Sequence, residues 1–165
     1  MILRGDRLIL GTCYYPEHWT ETMWRDDLKR MKDTGIEVVR IAEFAWNKIE
    51  PREGNFNYDF FDRFLDIAEE ENMKVIMGTP TATPPAWLTE KYPEALNADK
   101  DGNLFYHGAR RHYNYNSPVY QELSARIVEK MAEHYGKRPC IIGWQIDNEV
   151  NCENDECYSE SDHQA

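Results

Sequence analysis

Residues 140–150 read CIIGWQIDNEV, and the fold of the whole chain turns on how this stretch is understood. Its apolar part, with three isoleucines, has the composition of a buried strand. It ends abruptly in Asp147, Asn148 and Glu149, three polar groups that core packing gives no reason to put there. The fifteen residues that follow contain no Lys, Arg, Ile, Leu or Phe. A buried strand that delivers an amide and a carboxylate at its C-terminal end raises the question of what Glu149 does.

The same kind of strand recurs upstream, each time followed by a helical period. Residues 7–15 (RLILGTCYY) read as a strand, and residues 21–35 place Trp24, Leu28 and Met31 at helical spacing, with Thr20 positioned to cap and Gly35 to stop. Residues 36–44 (IEVVRIAEF) read as a second strand. After a turn, residues 58–72 put Phe61, Phe64, Leu65 and Ala68 on one helical stripe. Residues 74–80 (KVIMGTP) are a third strand. From Thr81 to Asn116 the sequence predicts a long irregular segment whose Trp87, Tyr92, Phe105, Tyr106, Tyr113 and Tyr115 suit an ordered wall. Ser117 and Pro118 then open a helix carrying Leu123, Ile127 and Met131, which Gly136 ends before the strand at 140–146. The acidic tail after Glu149 shows no pattern.

Strands alternating with helices predict an α/β protein with a parallel sheet. The turn after the first strand, CYYPEHW, lacks the glycines of a dinucleotide-binding loop, and there is no P-loop. An open flavodoxin-like sheet and the first half of a (β/α)8 TIM barrel remain. The chain has 165 residues, whereas a complete barrel takes roughly 250. A formal net charge of -11 opposes binding to nucleic acid or to an anionic membrane surface. Residues 1–19 lack the basic start and sustained apolar core of a secretory leader, and no window approaches the roughly 18 apolar residues that cross a bilayer. The four cysteines, Cys13, Cys140, Cys152 and Cys157, are therefore expected as free thiols in the cytoplasm.

Chemistry-capable side chains gather at the C-terminal ends of the strands: Tyr14, Tyr15 and Glu17; Arg40, Glu43 and Trp46; Thr79 and Thr81; Asn148 and Glu149. Barrel enzymes build their sites on that face. Carboxylic acid, amide, arginine and aromatic groups on one rim suit carbohydrate, whose hydroxyls take hydrogen bonds and whose C–H faces stack on rings. Glycoside hydrolysis uses two carboxylates.

Five fragments, GTCYYPEHW, VVRIAEFAWNKIEPREGNFNYDFFDRFLD, GTPTATPPAWL, ARRHYNYNSPVY and IIGWQIDNEV, in this order, resemble the N-terminal part of glycoside hydrolase family 42, the β-galactosidases, over nearly the whole chain. The resemblance implies a (β/α)8 barrel of which residues 1–165 carry about the first four βα units, as a fragment of the catalytic domain. It implies a retaining hydrolase of terminal β-D-galactosides, with Glu149 as general acid/base, Asn148 and Arg110 binding substrate, and a nucleophilic glutamate beyond this chain; Arg40 resembles the arginine that related barrel glycosidases place near that nucleophile, supporting it without touching the sugar. A half barrel is expected to expose its sheet edges. The full-length protein is open to homo-oligomerisation.

Plainer readings stand beside these: Glu149 as a solvated residue after a strand, Arg110 or Arg111 as a loop cation, Trp24, Trp87 and Trp144 as core, and Trp46 open. Another β-glycoside as substrate, an inactive sugar-binding or assembly fragment, and a purely structural α/β domain are the alternative functions. Many family members carry a four-cysteine zinc site, but here Asn114 stands at the first position and the tail offers only Cys152 and Cys157, with Asp155 or His163 to complete a set. No zinc and no other cofactor is expected.

Overall fold

The computed structural model describes residues 8–108, 112–150 and 156–163. Strands β1 (Leu10–Cys13), β2 (Ile36–Ile41), β3 (Lys74–Gly78) and β4 (Ile141–Gln145) form one sheet, parallel throughout, in the order β1-β2-β3-β4. Thr12 lies opposite Val39, Val39 opposite Val75, and Met77 opposite Trp144. Every crossover thus steps to the next position in the same direction. Because such connections are right-handed, the helices all land on one face of the sheet. A flavodoxin-like sheet reverses its strand order at a switch point, and this sheet does not reverse. The singly wound order is that of a barrel.

Helices α1 (Glu21–Asp33), α3 (Asp59–Glu70) and α5 (Pro118–Tyr135) supply the covering layer. Val39, Ile41, Val75 and Met77 are fully buried beneath Trp24 and Leu28 of α1, Phe61, Phe64 and Leu65 of α3, and Ile127 and Met131 of α5. Trp24 meets Phe64 edge-on at 5.4 Å, and its indole N–H donates to Pro16 O at 3.1 Å, so the one polar atom of that ring is satisfied inside the core. The other face of the sheet carries Arg40 and Ile76, with Cys13 beside them around a shallow hollow. Exposed apolar side chains collect at the two edge strands: Leu10 is 55% exposed beside β1's free edge, and Ile142 and Ile146 are 38% and 73% exposed along and after β4. A partial barrel leaves its edge strands exposed in this way.

Several elements differ from the sequence-based expectation. The strands are shorter. The second stops at Ile41 because Ala42 turns into the left-handed region at φ 74°. The segment 81–116 is not irregular throughout: it holds tight helical turns at Pro80–Ala82 and Pro93–Ala95, the six-residue helix α4 (Ala86–Lys91) between them, and bridges pairing Leu96 with Tyr113 and Ala98 with Leu104. One and a half turns are too short for a periodic signal to register. Two further four-residue helices, α2 (Trp46–Ile49) and α6 (Glu160–His163), escaped for the same reason. In the expected wall, Tyr113 and Tyr115 pack inward, while Tyr106 is 86% exposed. Thr20 and Ser117 occupy the capping positions, but neither side chain makes the capping hydrogen bond. Gly35, at φ 90°, does turn the chain out of α1.

A buried carboxylate fastens the loop after β2. Glu50 is fully buried; its Oε2 accepts from Trp46 Nε1 at 2.8 Å, its Oε1 accepts from Gly54 N at 2.7 Å, and Arg126 of α5 pairs with Oε1 at 2.5 Å. Trp87 Nε1 also donates to the Glu50 carbonyl at 2.9 Å, tying in α4. A buried charge with full hydrogen bonding holds only while every partner remains. Glu50→Ala is expected to destabilise the fold by about 3–5 kcal/mol in chemical denaturation; a loss below about 1 kcal/mol, the worth of an ordinary hydrogen bond, would contradict the role assigned to it.

Candidate active site

The C-terminal ends of the strands build the site from the backbone upward. At the end of β2, Ala42 at φ 74° swings the chain over β3. It passes so close that a Cβ on Gly78 would lie 2.6 Å from Glu43 Cβ and 2.9 Å from Glu43 N, so glycine is required at 78. Glu43 is fully buried as a result. Its Oε1 accepts from Arg40 Nε at 2.9 Å, from Arg40 Nη2 at 2.8 Å, and from the Tyr15 hydroxyl at 3.1 Å. Burial first, and then the Glu43 carboxylate, pushes Tyr15 up to about 12, so it remains a hydroxyl donor at neutral pH. Arg40 and Tyr15 are thereby fixed as one unit on the rim. Burial likewise raises Glu17 above the ordinary carboxylate range.

At the end of β4 the backbone leaves extended geometry altogether. Asp147 has φ 55° and Glu149 φ 49°. Left-handed backbone is tolerable for Asp but unfavourable for Glu, at a cost of order 1–2 kcal/mol. Surrounding bonds hold the turn in place. Thr79 N donates to Gln145 O at 2.9 Å, and Asp147 N returns a bond to Thr79 Oγ1 at 2.7 Å. The Tyr115 hydroxyl donates to Asp147 Oδ2 at 3.0 Å, and Asp147 Oδ1 accepts from Asn148 N at 2.6 Å. Gln145 Nε2 donates both to Asp147 O at 2.8 Å and to Asn148 Oδ1 at 3.1 Å, which orients that amide. Strain over-determined in this way is characteristic of functional turns.

Asn148 and Glu149 line a cleft of about 460 Å³ together with Phe44, His107, His112 and Tyr113. Among the described residues, Glu149 is the one carboxylate in its lining. The structure therefore brings Asn148 and Glu149 together on the rim. Arg110 and Arg111 lie outside the described residues; Gly108 and His112, on either side of them in the sequence, both line the cleft. Other rim candidates belong to the core. Trp46 is fully buried and bonded to Glu50, and Tyr14 is buried with its hydroxyl donating to Asp27 at 2.8 Å. Trp24 is core as expected, while Trp87 and Trp144 are only half-buried against it. The cleft residues that the sequence reading passed over are Phe44, His107 and His112. His112 had a signal, its place in the RRHY segment.

The sequence pattern of the Glyco_hydro_42 family, the beta-galactosidases, matches residues 13–165. The chain belongs to glycoside hydrolase family 42. It is 46% identical over 151 residues to a beta-galactosidase of Thermus thermophilus, covering 91% of this chain and 23% of that protein. To the beta-galactosidase Bga of Halorubrum lacusprofundi it is 45% identical over 150 residues, covering 90% and 21%. Among solved structures, the beta-galactosidase of the psychrophilic Marinomonas ef1 superposes with a TM-score of 0.90 at 44% identity, over 94% of this chain and 24% of that one. The chain thus spans about a quarter of the length of the relatives it matches, and its four βα units are those of a (β/α)8 barrel.

The support under the turn is testable by an isosteric change. Thr79→Val keeps the shape but removes the acceptor for Asp147 N. It is expected to cost about 1 kcal/mol of stability, the worth of an ordinary hydrogen bond at this part-buried place. Unchanged unfolding would show that Thr79 does not hold the turn.

Proposed function

We propose that the complete protein is a retaining β-galactosidase, that residues 1–165 form the N-terminal half of its catalytic barrel, and that Glu149 is its general acid/base. The observation that carries this reading is the place of Glu149, on a held left-handed turn directly after β4, lining a cleft, in a chain of glycoside hydrolase family 42. Barrel enzymes keep their chemistry on this rim.

Retention of configuration takes two displacements. In the first, Glu149 gives its proton to the glycosidic oxygen while a second carboxylate attacks the anomeric carbon and the aglycone departs. In the second, Glu149, now a carboxylate, takes a proton from the attacking water, and the sugar leaves with its original configuration. Asn148 hydrogen-bonds the sugar beside the scissile bond, its amide oriented by Gln145, and Arg110 contacts the substrate. The second carboxylate belongs to a later strand of the complete protein, about 5–5.5 Å from Glu149. A neutral galactoside also suits the net charge of -11, which repels polyanions. Among the described residues no helix is long and apolar enough to cross a membrane, and the cytoplasm is the setting we assign.

In the complete enzyme, Glu149→Gln is expected to lower turnover of alkyl β-galactosides by about 10²–10⁴-fold. Activated aryl β-galactosides, whose leaving groups need no proton, should lose far less. Equal losses on both substrates would remove Glu149 from the acid role, and a higher kcat/KM for a β-glucoside would move the sugar assignment. Residues 1–165 produced alone are expected to hydrolyse nothing, because the cleft holds half of the carboxylate pair; measurable turnover by that polypeptide would contradict the two-carboxylate account.

A further inference from the structure

Asn114 is fully buried, and its side chain is saturated. Its Nδ2 shares two protons among Ser159 Oγ, Ser161 Oγ at 2.9 Å and Asp162 Oδ2 at 2.8 Å, while its Oδ1 accepts from Asn116 N at 2.8 Å. Around it the tail closes on itself: Asp162 Oδ2 accepts from Ser159 N at 3.0 Å and from Ser159 Oγ at 2.7 Å, and Asp162 Oδ1 accepts from Asn116 Nδ2 at 2.7 Å. Tyr158 N adds a bond to Ala98 O at 3.1 Å. Three side chains from a segment some 45 residues away, and one backbone N–H from its own segment, thus meet at one amide.

This is also where the family resemblance places a zinc cluster, with one ligand at position 114 and the rest in the segment after Glu149. Of the ligands considered from the sequence, Cys152 and Asp155 lie outside the described residues, and the donors that converge on Asn114 do not fit zinc. A structural zinc site needs four ligands dominated by thiolate and imidazole. What converges here is an amide NH2, which has protons and no lone pair to give, with two hydroxyls and one carboxylate. Among the described residues no group of three or more His, Cys, Asp or Glu is placed to hold a metal ion. Hydrogen bonds occupy the ground that a metal would have to take.

The position of the knot gives it a second consequence. The neighbours of Asn114 in sequence both reach the catalytic rim: Tyr113 lines the cleft with Glu149, and Tyr115 holds Asp147. The tail that Asn114 grips, residues 159–162, follows Glu149 in sequence, so residues 113–115 touch the cleft, the tail and the turn in succession.

We propose that Asn114, Ser159, Ser161 and Asp162 form a metal-independent clasp that fastens residues 159–162 against residues 114–116 and positions Glu149 for proton transfer. The positioning half rests on the acid/base reading above. Asn114 touches no reacting atom in this scheme; it acts through its neighbour Tyr115, whose hydroxyl holds Asp147 in the turn before Glu149.

The test uses the complete enzyme and compares wild type with Asn114→Asp, which is isosteric but sets a carboxylate against Asp162. The milder Ser161→Ala, which removes a single acceptor, serves if the first variant does not fold. Two readouts are taken: the thermal midpoint with and without EDTA, and turnover of an alkyl and of a dinitrophenyl β-galactoside. The clasp predicts a wild-type midpoint unmoved by EDTA. It predicts that Asn114→Asp lowers alkyl-galactoside turnover about tenfold or more, as expected of a misplaced catalytic group, with a clearly smaller loss on the dinitrophenyl substrate; Ser161→Ala shifts the ratio in the same direction. A wild-type midpoint lowered by EDTA would overturn metal independence. A substrate ratio unchanged in the variants, while Glu149→Gln changes it, would overturn the positioning role. If Glu149→Gln itself leaves the ratio unchanged, the acid/base reading fails and takes the positioning half with it, while the EDTA result still decides the clasp.

Discussion

The bond that Asp147 N donates to Thr79 Oγ1, 2.7 Å long, joins the ends of β3 and β4 where both strands stop being strands. The parallel ladder below it ends in the bond from Thr79 N to Gln145 O. Above it the backbone turns left-handed twice within three residues, at Asp147 and again at Glu149. The acceptor at Thr79 ties this departure from extended geometry to the end of β3, while Tyr115 and Gln145 hold the turn from its other sides. Sheet register, turn conformation and the placement of the carboxylate meet at this point.

A comparable arrangement stands at the end of β2. Ala42 also adopts left-handed backbone, Gly78 makes room, and Glu43 is driven into the interior, where it must be paired. Arg40 and Tyr15 pair it. The two strand ends illustrate different solutions to one problem, which is how to aim a polar group from the end of a strand. At β4 local strain is offset by neutral hydrogen bonds and one carboxylate, and the acid is delivered to a cleft. At β2 the acid itself is buried and serves to hold a cation and a phenol in place.

Much of this was legible in the sequence because it rests on short-range rules. The apolar runs ending in polar residues gave the strands and the rim, and the stripe of Phe61, Phe64, Leu65 and Ala68 gave a helix whose four side chains are all buried. Strand order, however, is not a local property, and periodicity alone left a barrel and an open sheet equally available. Trp46 and Tyr14 stand next to rim residues in sequence yet point into the core, because a one-residue step reverses the side of a strand and the left-handed Ala42 resets the phase. The helix α4 was hidden by its length. The tail after Glu149 looked patternless because its structure comes from side chains bonding to a distant segment, Ser159 and Asp162 to Asn114, which no period records. Asn114 itself was read only as the absence of a cysteine.

The central claim is that Glu149 is one member of a pair of carboxylates that act on opposite sides of a glycosidic bond. The most direct measurement is a crystal structure of the complete protein with a galactose-derived inhibitor in the cleft, reading the distance from the Glu149 carboxyl to the nearest carboxylate on a later strand. The account predicts about 5–5.5 Å, with Glu149 beside the position of the glycosidic oxygen. A separation of roughly 6.5–9.5 Å, the spacing of inverting enzymes, or a Glu149 that lies away from the sugar, would contradict it.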